Sequence, residues 1–307
     1  MNHSSRYLFI FNPAANKGRA ARKSEWLSKL LSCREDSEMV TTTHAGHAED
    51  IARSTIIDKQ CLIACGGDGT LHEVINAVAG NGITVGILPI GSANDFIKTL
   101  SPDNNAKPCI NHLFTSKSKS IDLGRVSFGI SNHRYFINSM GLGFTGKVAK
   151  VVKNTPWLHG ELSYIYALLS VLARHKSLKL NIKITLEDSV VEIQEPVFAF
   201  SVSKGKIEGG KFRIAPHAEL SDGLLDVCIL KAVSKHDFFR YVLKYLKGTQ
   251  ISDPKVLYCK AKSVELTLQN PEVMHLDGEV YDNMLGKINI SVFPQGLNML
   301  CDHPILN

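Results

Sequence analysis

The feature that most constrains the fold is a glycine-rich turn directly after a continuous apolar run. Residues Cys61–Cys65 (CLIAC) are typical of a strand buried on both faces, and Gly66–Thr70 (GGDGT) follow without a break. The amphipathic segment Leu71–Ala79 comes next and predicts a helix. The free N–H groups at the start of such a helix suit a phosphate, and glycine lets the backbone approach it closely. The turn therefore indicates an anion site, although a plain glycine turn with a capping aspartate would look the same.

The surrounding sequence repeats this alternation of strand and helix. Apolar runs at Tyr7–Phe11, Met39–Thr43 and Ile83–Leu88 predict three further strands, and Arg19–Leu31 and Ala48–Thr55 predict helices. Strands that alternate with helices across short turns favour an α/β domain with a mainly parallel sheet.

The pattern changes after residue 121. Short β-like runs follow one another, and a single helical segment, Leu162–His175, interrupts them. The runs are Arg134–Asn138, Leu180–Leu186, Val197–Val202, Leu225–Leu230, Ser263–Leu268 and Lys287–Phe293. This half of the chain is predicted to be a second, mainly antiparallel β domain.

Composition narrows the class of protein. The 307 residues suggest about two domains, and 35 basic against 29 acidic residues give a net charge of +6, which permits anionic partners. No basic cluster is interleaved with aromatic residues, so we expect no nucleic-acid partner. The apolar stretch Leu162–Ala173 is too short to span a bilayer. Seven scattered cysteines indicate free thiols, and the expected compartment is the cytoplasm.

Three more turns have residues suited to a ligand. They are Asn12–Gly18 (NPAANKG), Thr42–Ala48 (TTHAGHA) and Gly91–Asp95 (GSAND), and each follows a predicted strand. Open α/β sheets bind ligands at the carboxyl ends of their strands, so the four turns are expected at one edge. Asp68 adds a carboxylate there, which suits ordering of Mg²⁺ through water or positioning of a hydroxyl. The sequence has neither a Walker motif nor GxGxxG, which disfavours P-loop kinases and ordinary Rossmann dehydrogenases.

Taken in order, these motifs resemble the diacylglycerol-kinase catalytic superfamily, which includes soluble bacterial lipid kinases and sphingosine kinases. Gly66–Val74 resembles its GGDGTxNEV signature, and Gly91–Phe96 resembles GTxNDFA. Further along, Asp222–Val227 resembles DGxLDV, and Leu276–Glu279 resembles the closing DGE element. The sequence departs from the pattern at a few positions, namely Asn16, Lys17, His72 and Ser92.

The resemblance implies a fold and an activity. An α/β nucleotide-binding domain of the NAD-kinase and phosphofructokinase type would comprise residues 1–121, rejoined by 295–307. An antiparallel β-sandwich domain for the lipid substrate would comprise 122–294. The implied reaction transfers the γ-phosphate of ATP, with Mg²⁺, to a lipid hydroxyl, most often that of diacylglycerol.

The resemblance also implies roles for particular residues. Those expected at the nucleotide are Asn12, Lys17, Thr43, Gly66, Gly67, Asp68, Gly69, Thr70, Ser92, Asn94 and Asp95. Asp68 and Asp95 would lie near the phosphates and Mg²⁺, and either Asp277 or Glu279 would accept the proton of the lipid hydroxyl. By itself, Asp277–Gly278 equally predicts a β-hairpin turn. A structural Mg²⁺ would take the Asp222 carboxylate and the carbonyls of Glu219 and Leu224.

A lipid kinase must meet a membrane surface. The apolar segment Leu162–Leu172 with Arg174–Lys176 fits a helix that docks transiently on anionic lipid, or one that packs on the β domain. The sequence leaves a homodimer open. Two alternatives stay in view: a soluble metabolite kinase of the NAD-kinase type, and a non-catalytic regulatory protein that binds a nucleotide.

Overall fold

The computed structural model describes residues 6–55, 61–100, 110–155, 157–158 and 161–301. Contacts between Cα atoms divide the chain into two compact units. The first comprises residues 1–121 with 295–307, and the second comprises 122–294. The extreme ends of the first unit, 1–5 and 302–307, lie outside the described residues.

The first unit contains a parallel sheet whose central strands are fully apolar. Its strands are β1 (Tyr7–Phe11), β2 (Ser37–Thr41), β3 (Cys61–Gly66) and β4 (Thr84–Pro89). The sheet order is β4-β3-β1-β2 with every pair parallel. Both β1 and β3 are buried along their whole length, as expected for strands covered on two faces. The predicted parallel α/β domain is confirmed.

Helices connect these strands. They are α1 (Ser24–Leu31), α2 (His47–Thr55), α3 (Asp68–Val78), α4 (Asp95–Leu100) and α5 (Ile110–Thr115). The single helix predicted over 19–31 is wrong in its first part, because Arg19–Lys23 form a 3₁₀ turn before α1. The residues just before it, Asn16, Lys17 and Gly18, all have positive φ, so the chain turns sharply where a regular helix would start.

The second unit is dominated by antiparallel strands. They are β5 (Lys117–Phe128), which begins in the first unit, β6 (Asn132–Phe136), β7 (Ser139–Gly143), β8 (Asn181–Thr185), β9 (Val190–Ile193), β10 (Val197–Ser203), β11 (Leu225–Lys231), β12 (Val256–Ala261), β13 (Ser263–Leu276) and β14 (Glu279–Cys301), which ends in the first unit. Their central order is β12-β11-β10-β7-β13-β14, while β5 pairs with β6, and β8 pairs with β13 and β9. Every one of these pairings is antiparallel, as the sequence predicted.

Three helices accompany these strands, whereas the sequence predicts only one. They are α6 (Phe144–Asn154), α7 (Glu161–Arg174) and α8 (Lys235–Lys247). Phe144, Leu172 and Phe238, one from each helix, are buried in a single apolar cluster with residues of the sheet. The helices therefore cover one face of the sheet and exclude water from it.

The final strand β14 serves both units. Its early residues pair with β13 in the second unit, from Leu276 opposite Glu279 to Ser263 opposite Ser291. Its last residues belong to the first unit, where Asn298 and Met299 pair in parallel with β4. The parallel sheet therefore gains an outer strand from the far end of the sequence.

Candidate active site

The glycine turn of the first unit packs backbone against backbone on the turn after β4. A Cβ at Gly91 would lie 2.3 Å from the Cα of Gly67, and one at Gly66 would lie 2.1 Å from Oγ1 of Thr70. The N–H groups of Ile90 and Gly91 both donate to the carbonyl of Gly66, at 2.9 Å each. Only glycine fits such an approach, so these residues bring two of the predicted ligand turns together.

Helix α3 begins at Asp68, directly after Gly67, so the turn opens onto its first N–H groups. The first four N–H groups of a helix have no partner within it, and the helix dipole adds partial positive charge there. This is the arrangement that the sequence indicated for an anion site.

The turn after β1 is tied to the same place by side chains. Nδ2 of Asn12 donates to Oγ1 of Thr70 at 2.9 Å, and Oδ1 of Asn12 accepts from the N–H of Ala14 at 3.0 Å. Oγ of Ser92 donates to Oδ1 of Asn16 at 3.0 Å. Two residues at which the sequence departs from the family pattern, Asn16 and Ser92, therefore hydrogen-bond to each other.

Asp68 holds the start of α4. Its Oδ2 accepts from the N–H of Asp95 at 3.0 Å, and its Oδ1 accepts from the N–H of Phe96 at 3.1 Å. Asp95 itself is buried, and its Oδ1 is 3.3 Å from Nζ of Lys98. The two hydrogen bonds give Asp68 a structural role at the start of α4 that is not predictable from the sequence.

Asn94 completes the turn after β4. It has a positive φ of 49°, and its Nδ2 donates to the carbonyl of Gly91 at 3.2 Å. Its Oδ1 is buried and has no protein hydrogen-bond partner among the described residues. A buried acceptor of this kind is normally satisfied by water or a ligand, and it lies within the predicted nucleotide set.

Glu73 is a site residue whose role sequence reasoning missed. Its two carboxylate oxygens accept from the N–H groups of Gly46 at 2.9 Å and Ala48 at 3.0 Å. It thereby caps the start of α2 and fixes the turn after β2 on α3. The glutamate of the GGDGTxNEV pattern was the available signal, but its partners lie more than twenty residues away.

Thr43 lies in that turn beside two histidines. Its N–H donates to Nδ1 of His47 at 3.0 Å, and its Oγ1 lies 3.0 Å from Nδ1 of His44. The two imidazole rings stack with centroids 4.8 Å apart. Side-chain hydrogen bonds thus join the turns after β1, β3 and β4 to one another, while the turn that holds Thr43 is joined to α3 through Glu73.

In the second unit, Asp277 and Gly278 form a two-residue hairpin between β13 and β14. Leu276 pairs with Glu279, and the φ angles of the two turn residues are 51° and 88°, as in a type I′ turn. The carboxylate of Asp277 is buried and accepts three backbone N–H groups, from Ile137 at 3.0 Å, Asn138 at 2.8 Å and Ser139 at 3.0 Å. Asp277 therefore anchors the hairpin to the chain before β7.

Glu279 has different surroundings. Its side chain is 38% exposed, and its Oε2 lies 2.9 Å from Nζ of Lys153. Of the two carboxylates of this hairpin, Glu279 is the one that a substrate can reach.

The residues implied for a structural Mg²⁺ do not fit a metal ion. Nζ of Lys204 lies 2.9 Å from Oδ1 of Asp222 and 2.7 Å from the carbonyl of Leu224, where the cation was expected. Nζ of Lys260 contacts Oδ2 of Asp222 at 2.5 Å and Oε1 of Glu219 at 3.2 Å. Burial acts to raise the pKa of the Asp222 carboxyl, but hydrogen bonds from Lys260 and Lys204 outweigh it and keep that pKa below its ordinary value. Within the described ranges, no group of three His, Cys, Asp or Glu side chains could hold a metal ion.

Comparison with known proteins identifies the class. Residues 6–126 match the family model of the diacylglycerol kinase catalytic domain, and residues 138–301 match that of the YegS C-terminal NAD kinase beta sandwich-like domain. The two descriptions name a catalytic domain followed by a β-sandwich-like domain, in the order in which the sequence predicts an α/β domain and an antiparallel β-sandwich.

Relatives extend this match over nearly the whole chain. The chain is 30% identical over 285 residues to the diacylglycerol kinase of Bacillus subtilis, covering 90% of each protein. It is 28% identical to that of Staphylococcus saprophyticus, covering 92% of this chain and 93% of the relative. The crystal structure of a diacylglycerol kinase from Bacillus anthracis has the same fold, with a TM-score of 0.71, 22% identity and 98% of each chain covered. The chain belongs to the diacylglycerol kinase family and is a lipid kinase.

None of the helices among the described residues is long and apolar enough to cross a membrane.

Proposed function

We propose that the protein transfers the γ-phosphate of ATP to the free hydroxyl of diacylglycerol, which yields phosphatidic acid. The observation that carries this proposal is the glycine turn at the start of α3, held against the turns after β1 and β4. That arrangement supplies N–H donors, hydroxyls and amides suited to a polyphosphate. The choice of diacylglycerol as the acceptor follows the relatives, which are named diacylglycerol kinases.

The nucleotide is proposed to lie on the first unit. The N–H groups at Asp68, Gly69 and Thr70 would donate to phosphate oxygens, and Lys17 would add positive charge. Asn94 would satisfy its buried Oδ1 by accepting a donor from the nucleotide or a bound water. Mg²⁺ bound with ATP would neutralise phosphate charge, with the carboxylates of Asp68 and Asp95 as its proposed protein partners.

Glu279 is proposed as the general base. Its exposed carboxylate can accept the proton of the lipid hydroxyl as that oxygen attacks the γ-phosphorus, whereas the carboxylate of Asp277 is occupied by three backbone N–H groups. Lys153, whose Nζ donates to Oε2 of Glu279 at 2.9 Å, would orient that carboxylate.

The lipid is proposed to be reached by transient docking on a membrane, through one face of α7. Four large side chains spaced as one helical face are exposed: Leu162, Ile165, Tyr166 and Leu169, at 65%, 54%, 44% and 47%. The opposite face, with Ala167, Val171 and Leu172, is buried. The helix ends at Arg174, and Lys176 is exposed just beyond it, which adds positive charge suited to anionic headgroups.

The test is phosphate transfer from γ-labelled ATP with Mg²⁺ to a total lipid extract and, in parallel, to diacylglycerol in mixed micelles. Labelled phosphatidic acid in both tubes is the expected result. Label on a different lipid would keep the lipid kinase and change its acceptor. A third tube contains NAD in place of lipid. Label on NAD and on no lipid would favour the metabolite kinase, and bound ATP with no transfer would favour a regulatory protein.

A further inference from the structure

Lys204 is a lysine whose charged group is completely buried. It lies just after β10, and its side chain is 0% exposed. Buried ammonium groups are rare and destabilising unless their three N–H donors are all satisfied. Here three oxygens surround Nζ: Oδ1 of Asp222 at 2.9 Å, the carbonyl of Leu224 at 2.7 Å and Oδ2 of Asp122 at 3.3 Å.

These acceptors are held in place by the backbone around them. The N–H of Gly223 donates to Oδ2 of Asp122 at 2.8 Å, and the N–H of Leu224 donates to Oδ1 of Asp222 at 3.1 Å. Two carboxylates and a carbonyl, converging on one point, are the oxygen ligands that a hard divalent cation prefers. The turn between β10 and β11 is thus built to enclose a cation.

Positive charge is already present among these oxygens without a metal ion. Lys204 lies between Asp122 and Asp222, and Lys260 approaches the other oxygen of Asp222 from the outside. The ammonium group of Lys204 fills the point at which these oxygens converge, so a divalent ion could bind there only by displacing a buried lysine.

We propose that the ammonium group of Lys204 takes the place of a structural divalent cation, so that the β unit folds and stays folded without Mg²⁺. Removing the side chain would leave Asp122, Asp222 and the Leu224 carbonyl around an empty space, and would convert a lysine site into a metal site. This inference concerns folding and does not depend on the proposed kinase reaction.

The experiment is thermal unfolding of the full chain, free of nucleotide, in EDTA and in a series of MgCl₂ concentrations. The melting temperature of the wild type is expected to be the same throughout. Lys204→Ala is expected to melt roughly 10 °C lower in EDTA, because the buried Asp122 and the partly buried Asp222 lose the ammonium group between them. Saturating Mg²⁺ should then recover about half of that loss or more.

Two matched variants localise the effect. Lys204→Met fills the same space without charge, so it should be destabilised and should not respond to Mg²⁺. Lys204→Ala combined with Asp222→Asn lacks a ligand and should lose the Mg²⁺ response. Electron paramagnetic resonance with Mn²⁺ should detect one additional bound ion in Lys204→Ala and none of this kind in Lys204→Met.

Either of two results would overturn the proposal. One is a wild-type melting temperature that rises with Mg²⁺ in the absence of nucleotide, with the rise abolished by Asp222→Asn. The other is a Lys204→Ala chain, folded or unfolded, that gains neither stability nor a Mn²⁺ signal when the metal is added.

Discussion

At the scale of single residues, two carboxylates that are separated in the sequence by a single glycine have different surroundings. Asp277 is buried under three backbone N–H donors, and Glu279 is exposed beside Lys153. Glu279→Gln should lower kcat by about 10²–10⁴-fold, because the general base is lost. Its melting temperature should hardly change, since exposed ion pairs stabilise by about 0–1 kcal/mol. Micellar kinetics, nucleotide titration and thermal unfolding measure these quantities separately.

Asp277→Asn is the matched control for that variant. The buried N–H groups would lose a charged acceptor, which costs about 1.5–3 kcal/mol of unfolding free energy, so its melting temperature should fall. The assignment would be reversed if Asp277→Asn kept its stability and lost turnover while Glu279→Gln retained wild-type kcat.

The buried His175 makes the stability of the folded protein sensitive to acid. Burial lowers its pKa from 6.5 to about 4, against a raising effect of its hydrogen bond to the Phe198 carbonyl. The unfolded chain binds a proton below about pH 6.5 while the folded chain does not, so stability present above that pH is lost as the pH falls towards 4. His175→Gln should therefore show a flatter dependence of melting temperature on pH between 7 and 4. The same substitution at exposed His236 is the control, and equal slopes in wild type and His175→Gln would contradict this account.

Residues also show where sequence reasoning was sufficient. The glycine turn and the hairpin at Asp277 were predictable because their conformations depend on local sequence. The pairings of Glu73 with the start of α2, of Asp68 with the start of α4, and of Lys204 with Asp222 were not. Their partners lie 18 to 28 residues away along the chain, and only the folded sheet brings them together.

At the scale of secondary structure elements, α7 combines a packed face with an exposed apolar face. Burying an Ile or Leu side chain stabilises by roughly 1.5–3 kcal/mol, so the double variant Ile165→Ser, Leu169→Ser should weaken binding to anionic vesicles at least tenfold. Activity towards a short-chain, water-soluble diacylglycerol should be unchanged. Vesicle sedimentation at low and high salt measures the binding, and high salt should weaken it because Arg174 and Lys176 are screened.

The control for α7 is Leu285→Ser, at a position that is 56% exposed in β14. It removes a similar apolar side chain away from the helix and should leave vesicle binding intact. Equal loss in both variants, or binding insensitive to salt, would exclude α7 as the electrostatic docking face.

Elements were predictable to different degrees. Strands β1 and β3 follow directly from unbroken apolar runs, and α7 from its helical periodicity. Helix α8 was missed because its Phe, Tyr and Val residues favour strands, and its helical signal is a cap: Oγ of Ser234 accepts from the N–H of Asp237 at 3.0 Å. Helix α6 was missed for a similar reason, since its three valines are β-branched.

At the scale of the whole molecule, the first unit depends on residues from the far end of the sequence. Leu297 and Met299 are buried at 2% and 0%, and Nδ2 of Asn298 donates to the carbonyl of Gly82 at 3.0 Å. A chain ending at Pro294 would expose the edge of β4, so we expect it to melt at a lower temperature and to aggregate. Met299→Asp in the full chain should act in the same direction, because it buries an unpaired charge.

Lys287→Ala is the control for these changes, since it alters an exposed residue earlier in the same strand. It should melt within a few degrees of the wild type. If the chain ending at Pro294 melted like the full chain, the β4 pairing would contribute nothing to stability.

The pairing of β14 with β4 has a consequence for biosynthesis. Strands β1 to β4 leave the ribosome first. The end of β14, which forms the outer strand of their sheet, leaves it only after some two hundred further residues have been translated. During that interval the open edge of β4 can pair with other nascent chains, so molecular chaperones have a defined strand to protect. The first unit therefore acquires its outer strand long after its four other parallel strands have been translated.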